Sequence, residues 1–404
     1  MRWPEPVPTL LLSILHIAVD AIGTGKSQCA DLDEGCKSVR MSYRVVQWAT
    51  GNQGVEAIRA ILDRPDMELV GAKVYSEDKA GVDAGVLAGR EPCGVVATLE
   101  VDEILALGAD CVAYFPRLAS LDEVCRILAS GTNVVTTAFL FHPHSLPADD
   151  LARLEAACIK GGSSVHGTGL NPGFLSGVLP LALSGMSRTI EKITLQERAD
   201  WSFYESTNIT FDNMRFGQAP EEVTEAASDF LRFNSGIFQE MVALLGRALG
   251  AGLDEITSSV ELVTAEADHD IFGITLGAGT VSGQRWHWRG LRADNILIEI
   301  ETLWTVGGEY PTHWPTPLDG WTLTLEGEPS IQAHLLTLMS YERPLPLAEH
   351  VRAASVATAM QAVNTIPALC AAPAGVQTMA DLPLVRAGFG FGNVAPEPLL
   401  HIPG

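Results

Sequence analysis

The chain has 404 residues, of which 47% are hydrophobic and 19% are charged, as in a globular protein with room for two domains and a large core. Its 49 acidic and 26 basic residues give a formal net charge of −23, which argues against nucleic acid or an anionic membrane as the main partner. The seven cysteines form no Cys-x-x-Cys or Cys/His cluster, so we expect reduced core thiols, no metal site and a cytoplasmic protein.

Residues 1–40 do not share the pattern of the rest of the chain. The apolar run Thr9–Val19 is too short to span a membrane, although Arg2 before it is typical of a signal peptide. Glu5 and three early prolines disfavour that interpretation, and Met41 stands directly before the first predicted strand. We therefore interpret residues 1–40 as an extension outside the fold, with an export signal as the alternative.

The stretch Arg44–Gly54 predicts a short apolar strand, a tight glycine turn and a helix that starts near Val55. Gly51 allows unusual backbone angles and the close approach of a ligand, and Gly54 lets the helix start lie near the strand. The free N–H groups and positive dipole end of such a helix suit a pyrophosphate. The predicted dinucleotide-binding turn comprises Thr50, Gly51, Asn52, Gln53 and Gly54. A glycine-bearing loop between any strand and helix is the alternative, and Ala49 replaces the usual first glycine.

Predicted strands and helices alternate from Met41 onward. The predicted strands are Tyr43–Trp48, Met67–Tyr75, Asp110–Tyr114, Asn133–Thr137 and Ser164–Gly169. The predicted helices are Val55–Leu62, Val101–Leu107, Leu121–Ser130 and Asp149–Lys160. This pattern predicts a Rossmann-type parallel sheet with helices on both faces and ligands beyond the carboxyl ends of the strands. Phe115, Pro116 and Thr137 lie at such ends and are predicted to contact the cofactor.

The pattern changes after about residue 190. Longer strands are predicted at Lys192–Ala199, Ile296–Val306, Trp321–Leu325 and Ala333–Met339, with helical stretches at Pro220–Phe230, Ile237–Leu249 and Ala348–Ala372. Strands of this kind predict an α+β domain with an open mixed or antiparallel sheet. The fold class is therefore α/β, with an extension at 1–40, a dinucleotide-binding domain at 41–180, a substrate and dimerisation domain at 181–345, and a segment at 346–404 that packs back on the first domain.

The residues after the second strand bear on the choice of cofactor. Ser76 would bond a 2′-phosphate and Lys79 would neutralise it, whereas Glu77 would hold a free ribose diol. We expect NADP, with NAD as the alternative. A solvated loop with no role in binding would also account for these residues.

Four stretches together resemble one known family. They are Val46–Gly54, Lys79–Gly85, Gly167–Phe174 and Ala357–Pro367, and the run Gly-Thr-Gly-x-Asn-Pro-Gly-Phe is the most specific. They resemble the actinobacterial dihydrodipicolinate-reductase-like family, which is similar to 2,4-diaminopentanoate dehydrogenase and native amine dehydrogenases. The resemblance extends over roughly Met41–Leu384. It implies a dimeric NAD(P)-dependent oxidoreductase with a Rossmann domain and a sheet domain, acting on a C=N or C–N bond.

Two departures from that resemblance concern the chemistry. The Glu-His-His-x-x-Lys stretch of dihydrodipicolinate reductases is absent, so we do not expect their reaction. Amine dehydrogenases carry a catalytic glutamate just after the strand that corresponds to Val134–Thr137, but Thr136–Pro143 contains no acid here. A carboxylate would hold an ammonium ion and relay its proton. Another substrate or a lost activity is therefore the alternative to amination.

The candidate catalytic residues follow three predicted strands. Asn171 is placed for nicotinamide or substrate, although Asn-Pro-Gly is also turn chemistry. His142 would protonate a product near neutral pH, although loop histidines are usually surface groups. Asp200 and Tyr204 would line the substrate pocket, or else belong to an ordinary capped loop.

Three functions remain open at this point. The first is an NAD(P)-dependent oxidoreductase of a small imine, amine or carbonyl substrate. The second is a catalytically inactive NAD(P)-binding sensor or scaffold, which the missing acid after Thr137 favours. The third is an alcohol or aldehyde dehydrogenase with Tyr204 as the acid.

Overall fold

Apolar runs between residues 43 and 167 lie side by side as parallel strands. The computed structural model describes residues 42–204, 206–308 and 310–388, so the predictions for residues 1–40 and 389–404 fall outside the described residues. None of the helices in those ranges combines the length and the apolar composition that crossing a bilayer requires.

The parallel strands form one sheet, called the first sheet below. Within the described ranges it contains β1 (Tyr43–Trp48), β2 (Met67–Lys73), β3 (Ala97–Thr98), β4 (Cys111–Tyr114), β5 (Asn133–Thr136), β6 (Ser164–Gly167) and β15 (Gly375–Gln377). Their order is β15-β6-β5-β4-β1-β2-β3. Successive strands are added on one side of β1 up to β3 and on its other side from β4 onward, so the strand order reverses between β1 and β4. Folds of this kind open a ligand crevice at such a reversal. The predicted Rossmann-type parallel sheet is confirmed.

Local signals in the sequence explain where the helices begin and end. The helices of the described residues are α1 (Asn52–Asp63), α2 (Ala84–Leu87), α3 (Val101–Ala106), α4 (Leu121–Ala129), α5 (Ala148–Gly161), α6 (Leu179–Ser184), α7 (Asp229–Ala248) and α8 (Leu347–Ala371). The Ser120 hydroxyl accepts from the Glu123 N–H at 3.3 Å and caps α4. Gly162 ends α5 with a φ of 63°, in the left-handed region that glycine tolerates.

Helices cover both faces of the first sheet. On one face, Ile58 and Ile61 of α1 pack in one cluster with Val363 and Ile366 of α8. On the other face, α3, α4 and α5 contribute Ile104, Val124, Ile127, Leu128 and Leu154 to a second cluster. Because both faces are buried, the strands carry nearly continuous apolar runs.

The remaining long strands form a second sheet. Within the described residues it contains β7 (Thr189–Asp200), β8 (Glu255–Thr264), β11 (Val281–Arg292), β12 (Asn295–Thr305), β13 (Gly320–Glu328) and β14 (Ile331–Leu335). The order is β14-β13-β7-β12-β11-β8. The β7–β12 pair is parallel and the other pairs are antiparallel, so the sheet is mixed, as predicted. A separate hairpin joins β9 (His269–Ile271) and β10 (Ile274–Leu276).

Helix α7 packs on one face of the second sheet, called its inner face below. Phe238 of α7 stacks on Trp288 of β11 with ring centroids 4.2 Å apart, and Ile193 and Leu195 of β7 belong to the same apolar cluster. Side chains alternate along a strand, so residues one position away from these project from the outer face. Lys192 is one of them, and it pairs with Glu299 at 2.8 Å.

Some predicted bounds were wrong. The segment Pro220–Phe230 is not a helix: its first three residues form a single 3-10 turn, and α7 starts only at Asp229, where the Ser228 hydroxyl caps it. The strand predicted at Ala333–Met339 ends at Leu335. The strand at Glu255–Thr264 was missed, because its polar and apolar side chains do not alternate regularly.

Candidate active site

The turn after β1 has the form of a phosphate-binding site, with two corrections to the prediction. Helix α1 begins at Asn52 rather than near Val55, so the amides of its first turn lie directly after β1. The residue in the left-handed region is Ala49, with a φ of 75°, whereas Gly51 is extended. Gln47 holds this turn, because its side-chain amide donates to the Ala49 carbonyl at 2.9 Å.

The two glycines of the turn have different roles. A Cβ on Gly54 would lie 2.1 Å from the Ala49 carbonyl oxygen, so only glycine lets α1 start this close to β1. A Cβ on Gly51 would meet nothing within 4 Å. No side chain caps the N-terminus of α1, so amide donors and open space coincide at Gly51.

Other predicted cofactor residues lie around this turn. The Lys79 ammonium donates to the Thr50 carbonyl at 3.1 Å, which brings its charge to the turn. The hydroxyl of Thr137, just after β5, donates to the Gln53 side chain at 2.8 Å. Ser76 is exposed beyond β2. The structure thus brings Lys79 and Thr137 to the turn and leaves Ser76 at the edge of the crevice.

Phe115 and Pro116 follow β4, but both are buried. The Phe115 amide donates to the Trp48 carbonyl at 2.9 Å, and its ring belongs to the apolar cluster beneath α1. Only the backbone of this segment therefore remains a candidate for cofactor contact.

Lys73, at the end of β2, was not among the predicted site residues. Its ammonium lies 3.6 Å from the centre of the Tyr75 ring, and burial lowers the pKa of Lys73. The Tyr75 hydroxyl accepts from Trp48 and donates to Glu123 at 2.9 Å. This lysine is packed between aromatic rings rather than held out toward a ligand.

A cavity of about 330 Å³ joins the turn to the chain that follows β7. Thr50, Gly51 and Asn52 line it on one side, and Tyr204 and Ser206 line it on another. Burial raises the pKa of Tyr204, so its phenol is protonated at neutral pH. Tyr204 lies beside the predicted turn, and its role in a substrate pocket stays a prediction.

Asn171 meets a carboxylate that was not among the predicted site residues. Its side-chain amide donates to Glu197 at 2.7 Å, and the Trp304 indole N–H donates to the other oxygen at 3.0 Å. Burial raises the pKa of Glu197, and these hydrogen bonds oppose the rise. The signal available in the sequence was a glutamate on an otherwise apolar strand face, next to Ile193 and Leu195.

Asp200 and His142 do not join this group. Asp200 accepts from the Ser202 amide at 2.8 Å and caps the turn after β7, which is a structural role. His142 is only 6% exposed and lines a different cavity of about 210 Å³ beside Arg247. Burial first, then the charges of His144 and Arg247, lower the pKa of His142 to about 4. This position and this pKa argue against His142 as an acid near neutral pH, and its catalytic role stays a prediction.

No cluster of three or more His, Cys, Asp or Glu side chains suited to a metal occurs in the part of the chain that the structure describes. The cysteines at positions 93, 111, 125, 158 and 370 are free thiols. The described residues provide an uncapped helix start and an aromatic phenol at one cavity, and a half-buried carboxylate held by Asn171.

These features define a Rossmann-type, nicotinamide-dependent oxidoreductase. Residues 174–393 match the 2,4-diaminopentanoate dehydrogenase C-terminal domain, which is more than half of the chain. An amine dehydrogenase from Streptomyces virginiae is 30% identical over 356 residues, which cover 84% of this chain and 96% of that protein. The chain belongs to the 2,4-diaminopentanoate dehydrogenase family, and the resemblance found in the sequence is confirmed.

Two further relatives agree with this assignment. The 2,4-diaminopentanoate dehydrogenase of Acetoanaerobium sticklandii is 24% identical over 310 residues, covering 73% of this chain and 80% of that protein. The structure of an amine dehydrogenase from Mycobacterium smegmatis superposes with a TM-score of 0.67 and 22% identity, covering 85% of this chain and 97% of that one. This second likeness supports the fold.

Substitution of the two glycines by alanine should affect the free energy of unfolding differently. Gly54→Ala should lower the free energy of unfolding by about 1–3 kcal/mol, because the new methyl group must displace the Ala49 carbonyl. Gly51→Ala should change it by less than about 0.5 kcal/mol, since its Cβ meets empty space. Urea unfolding of both variants measures the difference, and equal stabilities would contradict the close contact.

Glu240 of α7 should make the free energy of unfolding depend on pH. It accepts the His142 backbone N–H at 2.9 Å, and burial raises its pKa from 4.5 to about 7. The folded state therefore holds this proton more tightly, so the contribution to stability is full below about pH 4.5 and is lost as the pH rises through 7. Glu240→Gln removes this titration and should raise the free energy of unfolding by about 1–3 kcal/mol at pH 8.

The comparison needs two pH values and one control. The gain should shrink at pH 5, where most of the Glu240 side chains in the folded wild type are protonated. Glu326→Gln removes an exposed glutamate of β13 and should give no gain at either pH. A gain from Glu240→Gln that is the same at pH 5 and pH 8 would contradict the assignment.

Proposed function

We propose that this protein is an NADP-dependent amine dehydrogenase that interconverts a small primary amine and the matching imine or carbonyl compound. The observation that carries the proposal is the uncapped start of α1, which opens into the same cavity as Tyr204. The amine substrate is supported by the two relatives named for amine and diamine oxidation.

The residues of the turn suit a bound dinucleotide. The pyrophosphate would lie beside Gly51, where the amides of α1 donate and no atom blocks it. Lys79 would add a positive charge at the Thr50 end of the turn. When bound, the nicotinamide supplies the two-electron chemistry of the reaction, and the protein supplies orientation and proton transfer.

The choice of NADP over NAD rests on Ser76. It is exposed just beyond β2, where a 2′-phosphate would be placed, while Lys79 is drawn back to the turn that both cofactors share. Lys79 would therefore strengthen the binding of either cofactor, and Ser76 would discriminate between them.

An inactive cofactor-binding protein is the second candidate function. The stretch after Thr137 has no acid at the position where amine dehydrogenases carry one, and its residue His142 is held in place by Glu240. Screening cofactor reduction against amines and alcohols, and cofactor oxidation against ketones with ammonia, separates the candidates. Binding without turnover supports the sensor, and turnover of alcohols alone supports a dehydrogenase that uses Tyr204.

Assembly, location and domain organisation are also proposals. We propose a homodimer, supported by the network of half-buried ion pairs on the outer face of the second sheet, where Glu299 contacts Lys192, His287 and Arg289. The free cysteines support a cytoplasmic location. The division into domains at 41–180, 181–345 and 346–404 is supported by the two sheets and by the packing of α8 on α1.

Gly51→Val tests the cofactor site. The branched side chain would fill the space beside the α1 amides, so the Kd for NADPH should rise at least about 100-fold, while stability should be nearly unchanged. Titration of NADPH fluorescence measures the Kd, and urea unfolding checks the fold. Unchanged affinity in a folded variant would refute this site.

Ser76→Glu and Lys79→Ala test the choice of cofactor. The added carboxylate of Ser76→Glu should weaken NADPH about tenfold or more and leave NADH nearly unaffected, because only NADPH carries the 2′-phosphate. Lys79→Ala should weaken both cofactors by similar factors. A loss confined to NADPH in Lys79→Ala would place the 2′-phosphate at Lys79 instead.

A further inference from the structure

Glu197 is an acid on an apolar surface. It lies on β7, on the same face as Ile193 and Leu195, which are both 2% exposed within the apolar cluster of the second sheet. Glu197 as a whole is half-buried. A carboxylate in such a place is costly unless its charge is compensated.

Neutral groups alone compensate this charge within the described residues. Asn171 donates to one carboxylate oxygen at 2.7 Å and the Trp304 indole to the other at 3.0 Å. The Trp321 indole, opposite Glu197 on β13, is a further neutral donor, and Glu197 makes no ion pair there. The nearest charged neighbours in the sheet, Arg198 on β7 and Glu301 on β12, belong to the outer face. The inner face therefore holds a negative charge without a cation.

Beside this carboxylate, one buried acceptor, the side-chain oxygen of Asn171, has no hydrogen-bond partner among the described residues. The oxygen and nitrogen of one amide are about 2.2 Å apart, so the free Asn171 oxygen lies within about 5 Å of the Glu197 carboxylate. A donor-rich cation placed between them would satisfy both acceptors at once.

Aromatic rings connect Glu197 to the cofactor cavity. Trp304 donates to Glu197, and its ring centroid lies 5.5 Å from that of Trp201. Trp201 lies 5.3 Å from Tyr204, which lines the cavity together with Thr50 and Gly51. Aromatic faces stabilise organic cations as well as apolar groups, so this row suits an alkylammonium ion.

We propose that Glu197 binds the ammonium group of the substrate and accepts a proton from it, with Asn171 positioning both groups. The inference rests on the proposed function and names the feature that selects its substrate class: a primary ammonium ion rather than an alcohol. An ammonium group has three donors and no acceptor, which matches two acceptor oxygens side by side. A hydroxyl has one donor and carries no charge to offset the carboxylate.

The step is a proton transfer. One N–H bond of R2CH–NH3⁺ breaks, its electron pair stays on nitrogen, and an O–H bond forms on Glu197. The products are a neutral amine and a neutral carboxylic acid. The neutral amine nitrogen then carries a free electron pair. The adjacent carbon needs this pair in order to lose two electrons. In this chain Glu197 would thus supply the acid that is missing after Thr137.

Binding of ammonium ions to the protein with saturating NADP⁺ or NAD⁺ tests the proposal directly. The probes are methylammonium, isopropylammonium and benzylammonium, with 2-propanol as the uncharged counterpart of isopropylammonium. Calorimetry on the wild type at a pH where Glu197 is ionised should detect at least one ammonium ion and no 2-propanol. Glu197→Gln should weaken the bound ion at least about 100-fold and leave the Kd of the cofactor unchanged within about twofold.

The glutamine variant is expected to fold. The Asn171 amide can turn its free oxygen toward the new side-chain amide, and the glutamine oxygen can still accept from the Trp304 indole, so both polar groups of the new side chain keep a partner. Glu197→Asp withdraws the carboxylate by one methylene and should retain part of the ammonium affinity. If Glu197→Gln proves unstable, this second variant still separates loss of charge from loss of structure.

Glu240→Gln is the matched control, because Glu240 is the other half-buried carboxylate whose pKa burial raises, and it contacts the His142 backbone instead. For amine oxidation, the rise of kcat/KM with pH on the acid side should persist in Glu240→Gln and disappear in Glu197→Gln. Undiminished ammonium binding in Glu197→Gln, or loss of the acid limb only in Glu240→Gln, would overturn the inference while the dehydrogenase remains. If the wild type neither binds nor turns over any ammonium ion, the proposed function itself fails.

Discussion

Helix α1 can start against the end of β1 only because Gly54 has no side chain. A Cβ on Gly54 would lie 2.1 Å from the Ala49 carbonyl oxygen, and the Gln47 side-chain amide donates to that same oxygen at 2.9 Å. This contact aims the amides of the first turn at the open space beside Gly51 and fixes the direction of the helix dipole. The proposed cofactor site, the cavity at Tyr204 and the position of Thr137 are all arranged around that one approach.

The turn between β1 and α1 has an energetic cost, which falls on the backbone of Ala49. Ala49 stands where such turns usually have a glycine, and its φ of 75° is unfavourable for a residue with a side chain, by about 1–2 kcal/mol. The hydrogen bond from Gln47 offsets part of this cost. The turn is therefore held by side-chain contacts where others rely on glycine.

The parallel strands could be predicted from the sequence because burial on both faces leaves an apolar run that few other structures produce. Strand β1 was predicted with its correct bounds, and the turn that follows it was correctly located. Individual site residues were harder, since their roles depend on partners far away in the sequence. Asn171 and Glu197 are 26 residues apart, and only the fold shows that they share a hydrogen bond.

His142 shows how a local pattern leaves the surroundings of a residue open. Its position after a strand end predicted a catalytic role, but burial and nearby positive charges keep it neutral in a separate cavity. The segment Pro220–Phe230 was predicted as a helical stretch, yet the helix-start signal at Ser228 determines where α7 begins. Local patterns thus specify the elements well, and they specify electrostatic surroundings poorly.

The last strand of the first sheet has a consequence for the order of events during synthesis. β15 is separated from its neighbour β6 by more than 200 residues, and α8 covers one face of the same sheet just before it. The growing chain must therefore complete the whole second sheet before the first can close. Until then the edge at β6 and the apolar face above β4 and β5 stay uncovered on the ribosome, open to chaperones and to misassembly.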